Sequence, residues 1–588
     1  MAADSPLRLV VSSPPAPAPE RAPRLGCDAG ILAALTLAWT VIALLVDPRG
    51  GFPLNDDWAY GSVALRLAEH GRFEPSFWQS MPLVTPALWG AAFARVFGAS
   101  WFALRLSSLT AGWLALVGTF ALLREIGWSR ARATVGAAAL IFNPWMVALS
   151  FTFMSDVPFL AAVVWSAWAW LRAVGRGDAR WLALALVLAL AAVLSRQIGL
   201  ALPIAFALPA WRRRAFGRWT WLAALAPIAV TVLAIGVHDH LRHAAAVSAV
   251  SYDEKSEALV RGAVGLLGLH GWDHVAGRIV VALAYLGLFA LPVTLAGLDG
   301  ADGRPGRLTG AATCALGAIG GLALLIAGWS MPLAGNIVID FGIGPRTVAG
   351  AIRGASPWVW RAITVAAGVG AAFLARALVG SWRAGRGGGG LDGQRWKPMA
   401  CALLAATLFA PSVAADTPMF DRHLLVLLPF LLAATTVDER DADRRPRFVA
   451  ALACALLAVF SVAGTHDYLA WQRARWALAK GAYAAGIRPT DLRAGFEIDN
   501  LADARAGVRR TALADRSAAP YVVSIAPLAG HPEISRVDVR AWLPGAVRAV
   551  YLLAPLPNPL STPPLRGARG SALSLPLAGE GRGEGPSQ

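Results

Sequence analysis

Apolar stretches of about 18 residues or more recur between Ala29 and Gly464, each long enough to cross the roughly 30 Å hydrocarbon layer of a bilayer as a helix. A water-soluble chain of 588 residues would need several cores and a far more charged surface. Here 56% of the residues are hydrophobic, 15% are charged, and the mean hydropathy is +0.54, outside the range of ordinary soluble domains. The chain therefore reads as a polytopic membrane protein in contact with the lipid bilayer. Its net charge of +17 would point to nucleic acid in a soluble protein. The arginines cluster between the apolar runs instead, so the charge is a topology signal, and no nucleic-acid partner is expected.

Dividing the apolar runs by the length of a membrane helix gives about thirteen spans. They fall near residues 28–46, 101–123, 132–150, 156–174, 180–195, 198–210, 219–237, 277–298, 309–329, 356–380, 399–413, 422–437 and 447–464. Alternate connections carry the basic clusters, such as Arg124/Arg130/Arg132, Arg172/Arg176/Arg180 and Arg212/Arg213/Arg214/Arg218. The positive-inside rule makes these cytoplasmic. The acidic and histidine residues lie in the intervening segments: Asp56/Asp57, Asp156, His238 to His274, Asp340, Asp416/Asp421 and everything after Thr465. The expected location is a bacterial inner membrane, with the N-terminus cytoplasmic and the C-terminal segment periplasmic.

Four sections follow from this pattern: a disordered tail over 1–27, a membrane domain over 28–464, a small α/β domain over 465–554 and a disordered tail over 555–588. In the third, His466 to Ala485 has an amphipathic helical pattern, and Tyr521 to Ile525, Ile534 to Trp542 and Val547 to Leu553 read as strands. Gly387 to Gly390 reads as a flexible linker. The four cysteines share no metal-ligand spacing, so neither a disulfide framework nor a zinc knuckle is expected.

Asn55-Asp56-Asp57-Trp58-Ala59-Tyr60, about ten residues after the first span, is the sharpest chemical feature. Two adjacent carboxylates among aromatic rings can act as a general base, hold a divalent cation or accept hydrogen bonds from a sugar. The same residues also make a good turn and helix cap. Asp156 opens the fourth span, where an acid is either functional or a first-turn partner of the helix dipole. Arg196 follows the fifth span against the positive-inside trend, suited either to a phosphate or to snorkelling at the interface. His238, His240 and His243 are poorly spaced for a metal and read as a solvated loop, and no metal site is assigned. Most of the 24 tryptophans sit near span ends as interfacial anchors; Trp58 and Trp78 are the candidates for sugar stacking.

The acidic pair, the Ser155-Asp156-Val157-Pro158-Phe159 element and the stretch from Asp421-Arg422-His423 to Pro429 together resemble the GT-C glycosyltransferases. The likeness is to the glycosyltransferase family 39 type, which includes bacterial protein O-mannosyltransferase-like enzymes and lipid A aminoarabinose transferases. It spans residues 28 to about 500 and implies about thirteen spans, a catalytic acid in the first external loop and a periplasmic C-terminal domain. By that resemblance Asp56 is the base, Asp57 stands where a Glu is usual, and Asp156 is the second acidic position. Arg196 and Arg422 would bind the lipid phosphate, and Trp58 and Tyr60 the substrate. Where many relatives have Lys-Pro-Pro, this chain reads Gln79-Ser80-Met81-Pro82-Leu83, so phosphate binding must rest elsewhere.

The expected activity is transfer of a sugar from a polyprenyl-phosphate donor to an acceptor on the outer face, with inversion and with Asp56 as general base. A transporter or lipid flippase is the alternative, since polytopic helices with membrane acids serve ion-coupled transport too. A catalytically dead scaffold is a third reading. No cofactor is assigned, and a divalent cation could sit on the acidic pair.

Overall fold

The computed structural model describes residues 25–244, 250–267, 272–295, 309–387, 390–393, 395–415, 417–435, 447–507 and 513–555. The two expected tails, apart from residues 25–27 and Pro555, lie outside this set, as do Gly388, Gly389, Asp416 and the basic cluster from Arg440 to Arg445.

The chain begins with α1 (Leu25–Val46), then α2 (Asp57–His70) and α3 (Val84–Phe97), which follow before the second long helix, α4 (Trp101–Glu125). α5 (Arg130–Ile141) and α6 (Pro144–Ser150) are bent by 58° relative to each other, so the expected straight span over 132–150 is broken. The cause is Asn143-Pro144: the proline cannot donate within the helix, and the Asn143 side chain caps α6 through Trp145 N at 2.8 Å. α7 (Asp156–Arg176), α8 (Ala179–Val193), α9 (Ala201–Arg212), α10 (Thr220–Ala244), α11 (Val250–Leu267), α12 (Trp272–Leu295) and α13 (Gly310–Ile326) continue the bundle. The segment from His238 to His243 is helical, the end of α10, and not a loop; Tyr252 and Asp253 of α11 bond to Asp239 and Arg242 there.

After a short hairpin, β1 (Val338–Ile339) and β2 (Gly342–Ile343), come α14 (Pro357–Gly387), α15 (Trp396–Ala414), α16 (Leu428–Ala434) and α17 (Arg447–Ala484). Eight helices among the described residues are long and apolar enough to cross a membrane, and the bent pair makes a ninth. Where the sequence suggests a span over 422–437, the described residues form a 3₁₀ turn, Asp421–Leu427, followed by the seven-residue α16. α12, α13 and α14 pack backbone to backbone at glycines. A Cβ on Gly368 would lie 2.5 Å from Gly317 O, and one on Gly287 2.3 Å from Ala371 N. Small residues are what permit so close an approach between apolar helices.

The charged ends of the bundle segregate. Asp28 pairs with Arg130 at 2.7 Å, and Glu125 pairs with Lys397 at 2.9 Å and Arg172 at 3.0 Å, gathering three of the basic connections at one end. Asp56, Asp156, Arg196 and Arg422 collect elsewhere, around one pair of cavities.

α17 is 38 residues long, so the expected division after Gly464 falls inside it and the amphipathic His466–Ala485 stretch is its continuation, not a separate helix. The last section is β3 (Leu492–Arg493), α18 (Phe496–Arg505), β4 (Tyr521–Ser524), β5 (Glu533–Asp538) and β6 (Ala549–Leu553). Its sheet has the order β3-β4-β6-β5, with β3 parallel to β4 and the other pairs antiparallel. The three expected strand runs are present, and Tyr468, Leu469 and Trp471 of α17 are buried at this end of the helix.

Candidate active site

Two cavities meet beside the Asn55–Asp57 turn. One, of about 580 Å³, has largely apolar walls that include Phe159, Leu200, Ile204, Ile235, Leu259 and Val426, with Asp156 and Arg196 among its polar groups. The other, of about 1330 Å³, is a polar vestibule lined by Asn55, Asp56, Tyr60, Trp78, Asn336 and Phe496 among others. Ser80, Lys255, Thr417, Pro418, Arg422 and His423 line both, and so form the seam between them.

Asp56 immediately precedes α2, after Asn55 in the left-handed conformation at φ 51°, a region asparagine tolerates better than most residues. Its Oδ1 accepts Trp78 Nε1 at 2.8 Å, and Arg422 Nη2 stands 3.6 Å from Oδ2. Asp57 turns the opposite way. Its Oδ1 accepts Phe153 N at 2.8 Å and its Oδ2 accepts Leu54 N at 3.2 Å, deep in the protein. Burial pushes the Asp57 carboxyl up to about 7, against the pull of those two N–H donors. The adjacent acids therefore do not form one cation site, and among the described residues no three His, Cys, Asp or Glu side chains gather as a ligand group.

Trp58 is 2% exposed, packed against Phe77 and edge-on to Phe496, and lines neither cavity; it supports the turn and does not face a sugar. Trp78 does reach the vestibule. Tyr60 also lines it, and burial, followed by the Asp56 charge, pushes its hydroxyl pKa up.

Asp156 begins α7 and pairs with Arg196 at 2.5 Å from the 3₁₀ turn between α8 and α9. Asp156 is the acid of the first turn of α7, and both residues line the apolar cavity. Arg422 is aimed by its neighbour. The Asp421 carboxylate accepts the backbone N–H of Ile337, Val338 and Arg422 and the Trp145 indole, pinning the 3₁₀ turn to β1 and α6. Arg422 is 91% buried, and its Nε and Nη1 have no hydrogen-bond partner among the described residues. Its charge lies within reach of both Asp56 and Asp156.

Gln79, which opens the stretch that stands in place of Lys-Pro-Pro, is turned inward, its amide donating to Met81 O at 2.8 Å and Pro82 O at 2.7 Å. The cation arrives from another element: Lys255 of α11 donates to Ser80 Oγ at 2.6 Å. Although the residue as a whole is exposed, its ammonium reaches into the seam. Burial of that end, then repulsion from Arg196 and Arg422, pushes it down to about 8. The sequence reading missed Lys255. The available signal was scarcity, since Lys255, Lys397 and Lys480 are the only lysines in the chain.

Residues 80–235 match the family described as dolichyl-phosphate-mannose-protein mannosyltransferase. Over that stretch the match agrees with the glycosyltransferase resemblance read from the sequence. No individually curated protein matches the chain in sequence. Among solved structures, the Saccharomyces cerevisiae protein O-mannosyltransferase Pmt1-Pmt2 complex bound to its sugar donor is 19% identical over 36% of this chain and 34% of its own, with a TM-score of 0.31. The chain thus spans about a third of that relative's length. ArnT from Cupriavidus metallidurans bound to undecaprenyl phosphate is 15% identical over 90% of this chain and 98% of its own, TM-score 0.37. The oligosaccharyltransferase AglB from Archaeoglobus fulgidus, in complex with an inhibitory peptide and a dolichol-phosphate, is 16% identical over 81% and 56%, TM-score 0.37.

Proposed function

We propose that the chain transfers a sugar from a polyprenyl-phosphate donor to an acceptor on the extracytoplasmic face of a bacterial inner membrane. The observation that carries this reading is the seam. An apolar cavity suited to a prenyl chain opens onto a polar vestibule suited to an acceptor, and the buried Arg422, two of whose donors have no partner among the described residues, stands between them beside Lys255. A guanidinium fork and an ammonium at a lipid–water junction are complementary to a phosphate.

In this reading the donor phosphate sits against Arg422 and Lys255, and Asp156 holds Arg196 in place at the edge of the same cavity. Asp56, on the vestibule side, accepts the proton of the acceptor as its oxygen or nitrogen attacks the anomeric carbon. The bond from that carbon to the phosphate oxygen breaks with its electron pair on the phosphate, whose growing charge Arg422 and Lys255 stabilise. In-line attack inverts the anomeric centre, polyprenyl phosphate leaves, and Asp56 returns its proton to solvent. The thirteen-span topology, with the N-terminus cytoplasmic and the C-terminal sheet periplasmic, belongs to this proposal.

The test is transfer of labelled sugar from a panel of polyprenyl-phosphate donors by the purified protein in proteoliposomes. Transfer that Asp56→Asn abolishes supports it. Movement of labelled lipid across the bilayer without any transfer would favour the flippase alternative and overturn it.

A further inference from the structure

The last section of the chain touches the Asp56 turn from two sides. Glu497, in the first turn of α18, accepts the Asn55 backbone N–H at 3.0 Å. Immediately before it, the Phe496 ring meets Trp58 at 6.2 Å and Trp78 at 5.8 Å between ring centroids, and Trp78 is the donor to Asp56 Oδ1. One dipeptide therefore holds both the backbone on which Asp56 is mounted and the indole bonded to its carboxylate.

The arrangement is built for this approach. Glu497 and Arg475 of α17 form an ion pair with both side chains fully buried, and Thr347 donates to the same carboxylate. The Phe496 N–H is bonded to Thr347 O at 3.0 Å. Gly495 sits at φ 101°, where a Cβ would lie 2.4 Å from Thr347 O, so only glycine brings α18 this close. A fully buried ion pair is a poor source of stability compared with apolar packing. Its geometric result here is specific: one Glu497 oxygen is left directed at the amide that precedes Asp56.

We propose that Glu497 and Phe496 are positioning residues for Asp56, so that the C-terminal section completes the active site of the transfer reaction, and does not merely decorate it. Glu497 fixes the backbone at Asn55 in its left-handed conformation. Phe496 keeps Trp78 on the Asp56 carboxylate and adds its own ring to the vestibule wall. Neither residue lines the apolar cavity, so neither touches the prenyl end of a donor.

The proposal rests on the transferase reading, and its test separates the two. Full-length protein in nanodiscs is followed by hydrogen–deuterium exchange of the peptide spanning residues 52–62 and by labelled-sugar transfer. For Glu497→Ala the expected result is exchange at least tenfold faster, turnover at least tenfold lower, and a donor KM within twofold of the native value. Glu497→Gln keeps an acceptor oxygen, so the amide stays protected and turnover stays within threefold. Phe496→Ala, which leaves the ion pair intact, lowers turnover at least fivefold with donor KM unchanged. Unchanged exchange in Glu497→Ala overturns the proposal, as does equal loss of turnover in the Ala and Gln variants in step with their melting temperatures. If Glu497→Ala does not fold, Phe496→Ala decides, and turnover within twofold of native overturns it. Absence of transfer by the native protein defeats the transferase reading alone, since the exchange measurement still reports the contact.

Discussion

Asp56 and Asp57 are neighbours in the chain but face opposite ways, Asp56 accepting the Trp78 indole at the vestibule and Asp57 accepting the Phe153 amide in the interior. The pair is thus one candidate base and one structural tie.

Substituting each with asparagine should separate these roles. Asp56→Asn is expected to lower transfer by about 10²–10⁴, the usual worth of a general base, with the melting temperature unchanged. Asp57→Asn offers one oxygen to two backbone donors and should cost about 1–3 kcal/mol of stability. The folded carboxyl of Asp57 titrates near 7 and the unfolded one near 3.8, so the folded state holds its proton over a wider range. Asp57 therefore contributes stability at low pH that is lost as pH rises through this window, a slope Asp57→Asn should flatten. Thermal melts in detergent from pH 4 to 8 measure both effects.

Lys255 predicts a basic limb. Its ammonium is pushed down to about 8, so the cation is lost as pH rises through that value. The kcat/KM for the lipid donor should fall above about pH 8 in the native protein and stay level to about pH 10 in Lys255→Arg, because a guanidinium keeps its proton. Matching profiles for the two proteins would remove Lys255 from donor binding.

Arg422 should dominate donor affinity. Replacing its buried, partly unpartnered guanidinium in Arg422→Met is expected to raise the donor KM roughly ten- to a hundredfold, the worth of about 1.5–3 kcal/mol in charged hydrogen bonds. Polyprenyl phosphate binding by calorimetry, without any acceptor, reports the same loss.

The glycine seam governs stability alone. Gly368→Ala drives a methyl to 2.5 Å from Gly317 O and 2.6 Å from Gly321 N. The backbone cannot yield cheaply, and a loss of about 1–3 kcal/mol is expected. Melting temperature should fall while transfer per folded molecule stays native.

Length and apolarity made the membrane helices legible, and alternation within Tyr521–Leu553 made the strands so. What escaped were features set by contacts distant in sequence. The 3₁₀ turn at Asp421–Leu427 is held by a carboxylate that captures amides from Ile337 and Val338 and the Trp145 indole, partners the local sequence does not reveal. The site was legible in part for the same reason. Asp56, Asp156, Arg196 and Arg422 announced themselves by charge beside apolar runs. The inward turn of Gln79, the burial of Trp58 and the reach of Lys255 to Ser80 are decided by tertiary packing.

The 38-residue α17 measures about 57 Å at about 1.5 Å per residue, nearly twice the thickness of a hydrocarbon layer. It runs without a hinge from the bundle to the sheet, like a mast through a deck. A tilt of its membrane half swings the Arg475 end, and with it Glu497, in the same motion. Lipid thickness is therefore a variable to vary in the proposed transfer assay, because a bilayer that leans this helix would shift the footing of Asp56.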